Sequence, residues 1–151
     1  MRAWVAVAGL VLAACGEAAE APETVVVAAE TGGGGAAPAD ALMARGERLW
    51  MRCRACHTLE EGKPHSTGPN LWGMYGEAAG AEPGFRYSQA LVDSGLVWNA
   101  ETVDAWLERP SALVPGTSMV FAGLKKKEDR EVLDHFLRAK TGADINEETV
   151  E

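Results

Sequence analysis

Hydrophobic and polar positions divide this 151-residue chain into stretches of different character. Ala3 to Ala14 is an unbroken apolar run rich in Ala, Val and Leu. Residues 16–39 are mostly Ala, Glu, Gly and Pro, with Val25-Val26-Val27 as the one apolar island and no aromatic residue. Helical periodicity begins at residue 40. Asp40 is a good N-cap, and Ala41 to Cys53 reads as a helix with Gly46, Trp50 and Cys53 on one face. Residues 58–90 are rich in Gly and Pro and read mostly as loop. A second helix follows Asn99, with Glu101 in its first turn and Val103, Trp106 and Leu107 as its apolar stripe; Pro110 ends it. A third runs from about Lys126 to Lys140, burying Val132, Leu133, Phe136 and Leu137, with Gly142 at its C-terminal end. No strand pattern and no repeat is present, so the expected fold is all-α, three main helices joined by loops.

The first run is too short to span a bilayer, which takes roughly 20 apolar residues. Behind Arg2, it has the length of a signal-peptide apolar core. Its end, Leu12-Ala13-Ala14-Cys15, resembles a bacterial lipoprotein lipobox. That resemblance implies cleavage before Cys15 and a lipid on Cys15. The expected organisation is a signal peptide over 1–14, a lipid-anchored flexible linker over 15–39, a folded domain over 40–143 and an acidic tail over 144–151. The alternatives are an ordinary signal peptide whose small-residue region holds a Cys and, third, an uncleaved anchor. As a flexible coil the linker reaches about 27 Å, and roughly 80 Å fully stretched.

Composition is that of an ordinary globular chain, 47% hydrophobic and 24% charged. The formal charge of −8 gives no support to nucleic-acid binding, which calls for a basic patch. A small, loop-rich domain holds a modest core, and a buried apolar cofactor would supply the missing mass.

Cys53-Arg54-Ala55-Cys56-His57 supplies the chemistry. C-x-x-C-H is a c-type haem attachment signature. Two thiols at this spacing can add to the two vinyl groups of a porphyrin, and the adjacent His reaches the iron from one face. A thioredoxin-like pair needs a βαβ context, which is missing. A zinc site needs four ligands, and His65 and His135 form no second pair. Cys53 and Cys56 are therefore assigned to one covalent haem c and His57 to its iron. For the other axial position the candidates are His65, His135, Met43, Met51, Met74 and Met119. Met119 stands apart because it follows Pro115-Gly116-Thr117-Ser118, a rigid turn between helices that can present a thioether to the far face of the ring.

Residues from Gly46 to about Lys140 resemble the class I cytochromes c of mitochondrial and alphaproteobacterial type. The matching stretches are Cys53–Leu59, Thr67–Gly73, Pro83–Ser88, Gly95–Asn99, Pro115–Met119 and Phe121–Lys127, in family order. The resemblance implies the class I cytochrome c fold, with Met119 as the distal iron ligand. It implies that the Pro69 carbonyl accepts a hydrogen bond from the His57 ring. Tyr87 and Trp98 would donate to one haem propionate, and Thr117 would shield the other. Gly46 and Trp50 would cross against Leu133 and Phe136. Three positions depart from the family: Glu77 where an Arg often lies beside a propionate, Leu91 for a buried Asn, and Trp106 for a buried Tyr near the Met ligand. A carboxylate at Glu77 would favour the oxidised haem.

With both axial positions filled, the iron has no open site, which argues for electron transfer and not catalysis. The expected role is a membrane-tethered, monomeric carrier on the periplasmic side of a bacterial membrane, running from a quinol–cytochrome c oxidoreductase to a terminal oxidase or similar acceptor. Arg52, Lys125, Lys126 and Lys127 are the candidate docking cations. Two other readings compete: a resident cytochrome subunit of an oxidase complex, and a haem sensor or small peroxidase.

Overall fold

The computed structural model describes residues 39–143. The expected signal peptide, Cys15, the expected linker up to residue 38 and the expected tail from 144 lie outside the described residues. Among the described residues five helices follow in order: α1 (Ala39–Trp50), α2 (Gln89–Val92), α3 (Ala100–Glu108), α4 (Pro110–Leu113) and α5 (Lys127–Lys140). Among the described residues there is no strand, only two isolated bridges, Thr58 with Asn70 and Ala78 with Val97.

The three main helices are the expected ones, with shifted ends. Helix α1 begins one residue before Asp40 and closes at Trp50, short of Cys53. Beyond Trp50 the chain tightens into turns: Cys53 N–H donates to the Trp50 carbonyl at 2.8 Å and His57 N–H to the Cys53 carbonyl at 3.0 Å. The haem motif is thus a continuation of α1 in turn geometry. Helix α3 opens on a capping box, Asn99 Oδ1 accepting from Thr102 N–H while Thr102 Oγ1 accepts from Asn99 N–H, both at 2.9 Å. Pro110 stops α3 by holding Arg109 extended, and serves as first residue of α4. Helices α2 and α4 are unexpected single turns: α2 begins at the end of the 58–90 stretch read as loop, and α4 begins at the Pro110 that ends α3.

The core explains the shape. Trp50, Leu59, Val103, Leu107, Leu124, Leu133, Phe136 and Leu137 form one buried cluster joining α1, α3 and α5. Gly46 permits the α1–α5 crossing: a Cβ there would stand 2.4 Å from Phe136 Cβ. Ion pairs border the same contacts. Arg45 meets Asp129 at 2.6 Å, and Arg130 grips Asp104 of α3 at 2.8 and 3.1 Å while donating to the Leu124 and Lys125 carbonyls. A second cluster, Ala79, Leu91, Trp106 and Val114, carries Met119, Tyr87 and Leu96 on its edge. Trp98 packs against both clusters. A cavity opens where they meet.

Candidate haem site

The cavity has a volume of about 490 Å³, within the range of sites for small cofactors. Its wall draws Trp50, Leu107 and Leu137 from the first cluster and Leu91, Trp106 and Met119 from the second. Cys53 and His57 enter it from the turn after α1. The sequence brought these residues together on motif alone; the fold does so through the Trp50–His57 turn.

His57 is fixed on one side. Its Nδ1 lies 2.9 Å from the Pro69 carbonyl, which can only accept, so Nδ1 carries the proton and Nε2 keeps its lone pair. Burial lowers the His57 pKa, and the Pro69 bond opposes that shift without cancelling it. A neutral imidazole with a free Nε2 is what an iron ligand requires. Gly68 makes room for the ring: a Cβ there would come within 2.5 Å of His57 Cε1. Sequence reasoning passed over Gly68, because its importance depends on a ring that folding lays across it.

The Cys53 thiol points away from redox-pair chemistry. Burial pushes it up to about 11, against the lowering effect of Arg52. Reactive redox cysteines show the opposite shift.

Of the other candidate ligands, His65 is engaged, and His135 does not line the cavity. His65 accepts from Asn70 N–H at Nδ1 (3.0 Å) and donates from Nε2 to the Pro83 carbonyl (2.9 Å), leaving neither nitrogen for a metal. Met51 is exposed. Met74 does line the cavity, as does Met119, while Met43 packs on the first cluster. Thr117 also lines the cavity, and its Oγ1 accepts from Met119 N–H at 3.3 Å, bracing the turn that presents the sulfur.

Tyr87 and Trp98 face the same space. Burial pushes the Tyr87 phenol up to about 12, with Glu82 adding to the effect. Neither the Tyr87 hydroxyl nor the Trp98 indole N–H has a hydrogen-bond partner among the described residues. Two unpaired donors beside an apolar cavity, with a neutral imidazole and a thioether on its wall, fit a haem: an apolar ring, an iron and acidic side groups. Asn70, another residue the sequence did not single out, organises the loop below. Its Nδ2 donates to the Glu60 and Lys63 carbonyls, both at 2.9 Å, and its Oδ1 accepts from Trp72 N–H at 3.0 Å.

The docking candidates lie elsewhere. Arg52, Lys125, Lys126 and Lys127 are all exposed and none lines the cavity. Lys127 is paired with Glu131 one turn along α5 at 2.5 Å, an exposed pair that partly offsets its charge.

Comparison with known proteins agrees with this construction. No family model matches the chain. It is 42% identical over 89 residues to the cytochrome c of Kluyveromyces lactis, spanning 58% of this chain and 81% of the relative. It is 42% identical over 98 residues to the cytochrome c2 of Rhodomicrobium vannielii, spanning 65% and 78%. With the cytochrome c of Chlamydomonas reinhardtii the identity is 42% over 106 residues, 70% of this chain and 94% of the relative. The aligned lengths match the folded domain. The chain belongs to the cytochrome c family: it bears one covalent haem c at Cys53-x-x-Cys56-His57 and transfers electrons as a carrier and not as an enzyme.

Proposed function

We propose that this protein is a membrane-tethered periplasmic electron carrier whose iron is held between His57 and Met119. The observation that carries the ligand assignment is that His57, whose Nε2 is left free by the Pro69 bond, and Met119, on a turn braced by Thr117 at the edge of the second cluster, both line the same cavity. The haem supplies the one-electron couple. The chain's residues hold it: Cys53 and Cys56 attach it, the Pro69 carbonyl orients His57, and Tyr87 and Trp98 offer donors to a propionate. Thr117 braces the Met119 turn and would shield the other propionate. Thioether ligation on one side and imidazole on the other favours a raised potential.

Tethering rests on Leu12-Ala13-Ala14-Cys15 and the linker that follows. Charge supports the same reading. Residues 40–143 contain 14 of the 22 acidic residues and 13 of the 14 Lys and Arg, so most of the −8 resides in the flanking segments. A nearly neutral domain, with Arg52, Lys125, Lys126 and a paired Lys127 as its docking cations, steers weakly toward an acidic partner. A lipid at Cys15 offsets this by keeping the effective concentration near the membrane at about the millimolar scale. The partners that suit such a carrier are a quinol–cytochrome c oxidoreductase and a terminal oxidase.

Three measurements test the reading. Met119→Ala should abolish the sulfur-to-iron charge-transfer band of the oxidised protein and leave covalent haem in place; a retained band assigns the ligand elsewhere. Cys15→Ser, still exported, should release the protein from the membrane fraction. A wild-type protein that co-purifies in stoichiometric amount with an oxidase from solubilised membranes would instead identify a resident subunit.

A further inference from the structure

The haem cavity brings its own charge. Among the described residues that wall it, Glu77 and Glu82 are the ones with a formally charged side chain, and no Lys or Arg reaches it. Both residues are exposed, which places them at the rim. Neither has an ion-pair partner among the described residues.

Their backbone is held in place. Glu77 N–H donates to the Met74 carbonyl at 3.1 Å, and the Glu77 carbonyl accepts from Trp98 N–H at 2.9 Å. Gly76 N–H donates to the Trp98 carbonyl at 2.8 Å, completing a strap onto a residue of the cavity wall. Glu82 sits between two further bonds: Ala81 N–H to the Ala78 carbonyl at 3.1 Å, and the His65 ring to the Pro83 carbonyl at 2.9 Å. Its charge already reaches the cavity wall, where it raises the Tyr87 phenol.

One-electron reduction adds an electron from the donor and removes one unit of positive charge from the cavity, with no protein bond made or broken. Negative charge held at the rim stabilises the oxidised state against the reduced one. The basic residues at 125–127 lie off the wall and cannot neutralise the rim from within. We propose that Glu77 and Glu82 act together as a fixed charge pair that lowers the reduction potential of the haem and biases the carrier toward its oxidised form. A unit charge acting over about 10 Å, through an effective dielectric constant of about 20 to 80, changes such an equilibrium by about 2- to 15-fold.

The inference rests on haem occupying this cavity, and the test separates the two. The full-length holoprotein is equilibrated with a redox mediator of known potential at low salt. Wild type is compared with Glu77→Gln, Glu82→Gln, the double variant and Glu77→Lys. Each Gln variant should shift the equilibrium toward reduced protein by about 2- to 15-fold, the double variant further than either, and Glu77→Lys further than Glu77→Gln. A tenfold shift reads as about 59 mV for a one-electron couple. The shifts should shrink at 1 M salt, where the Debye length falls to about 3 Å. Wild-type visible spectra and haem content establish, independently of the potential, that the cavity is loaded. A double variant within twofold of wild type, or equal shifts for Gln and Lys at position 77, overturns the proposal. Should one single variant load haem poorly, the other is judged by the same criterion.

Discussion

His65 donates from Nε2 to the carbonyl of Pro83 at 2.9 Å, eighteen residues further along the chain. The donor is fixed because Asn70 N–H, at 3.0 Å, must donate to Nδ1. Phe85 meets the ring edge-on at 5.6 Å. One neutral imidazole therefore joins the loop after the haem motif to the loop bearing Glu82. His65→Phe keeps a ring beside Phe85 and removes both bonds, which should cost about 1–2 kcal/mol. The denaturant midpoint of the holoprotein should fall accordingly, and amides between residues 78 and 88 should exchange faster while those of α5 do not. An unchanged midpoint would show that the clamp contributes nothing.

Gly46 and Phe136 bring α1 and α5 into close contact. An added methyl at Gly46 would lie 2.4 Å from Phe136 Cβ and 2.9 Å from Cγ, and Phe136 is itself buried against Trp50 and Leu133. The Cβ of Phe136 cannot swing away without moving α5. Gly46→Ala should therefore cost about 2 kcal/mol or more despite the better helix propensity of Ala. Thermal unfolding of the holoprotein measures it; a rise in midpoint would mean that the two helices can separate freely.

Local signals were legible and long-range ones were not. Asn99, Pro110 and the stripe Val132, Leu133, Phe136, Leu137 announce α3 and α5 because capping, ring geometry and periodicity act within a turn or two. Helices α2 and α4 escaped because a single turn shows no period: α2 depends on the Ser88 cap and α4 on Pro110 at its first position. In the site, Cys53, Cys56 and His57 are contiguous, and resemblance supplied the Pro69 carbonyl that the structure places at 2.9 Å. The clamp at His65 and the close approach of Gly68 to His57 arise only when loops distant in sequence meet. Lys127 counted as a docking cation in the sequence; Glu131, four residues on, claims it in the fold.

Four of the five tryptophans, Trp50, Trp72, Trp98 and Trp106, line the haem cavity. Trp98 and Trp106 also pack edge to face at 5.4 Å. A haem in this cavity lies close to every described indole and should quench their emission by energy transfer. The folded holoprotein should therefore be nearly dark under tryptophan excitation. Denaturant should restore fluorescence in one cooperative step that coincides with the loss of helical circular dichroism. A Cys53→Ser, Cys56→Ser double variant, which cannot retain the group covalently, should be bright in any buffer. Bright emission from folded, haem-loaded wild type would place the group outside this cavity.

The two tyrosines should both resist ionisation in the folded protein, each through burial first and a neighbouring carboxylate second. Tyr75 donates to Asp134 Oδ1 at 2.6 Å beneath Arg138, whose guanidinium lies 4.5 Å from the ring centre. Burial raises its pKa most, the Asp134 carboxylate raises it further, and Arg138 opposes. Tyr87 is pushed up to about 12 by burial and then by Glu82. An exposed phenol ionises near 10. Above that pH the unfolded chain releases protons that the folded chain keeps, so stability falls as pH rises. The contribution of Tyr87 is intact below about 10 and is lost between about 10 and about 12. Ring-labelled tyrosine followed by NMR should show both phenols protonated at pH 11 in folded protein and both ionised in denaturant. Asp134→Asn removes the neighbouring negative charge and should bring Tyr75 downward while leaving Tyr87 in place. If both phenols ionise near 10 in the folded state, neither Asp134 nor burial controls them.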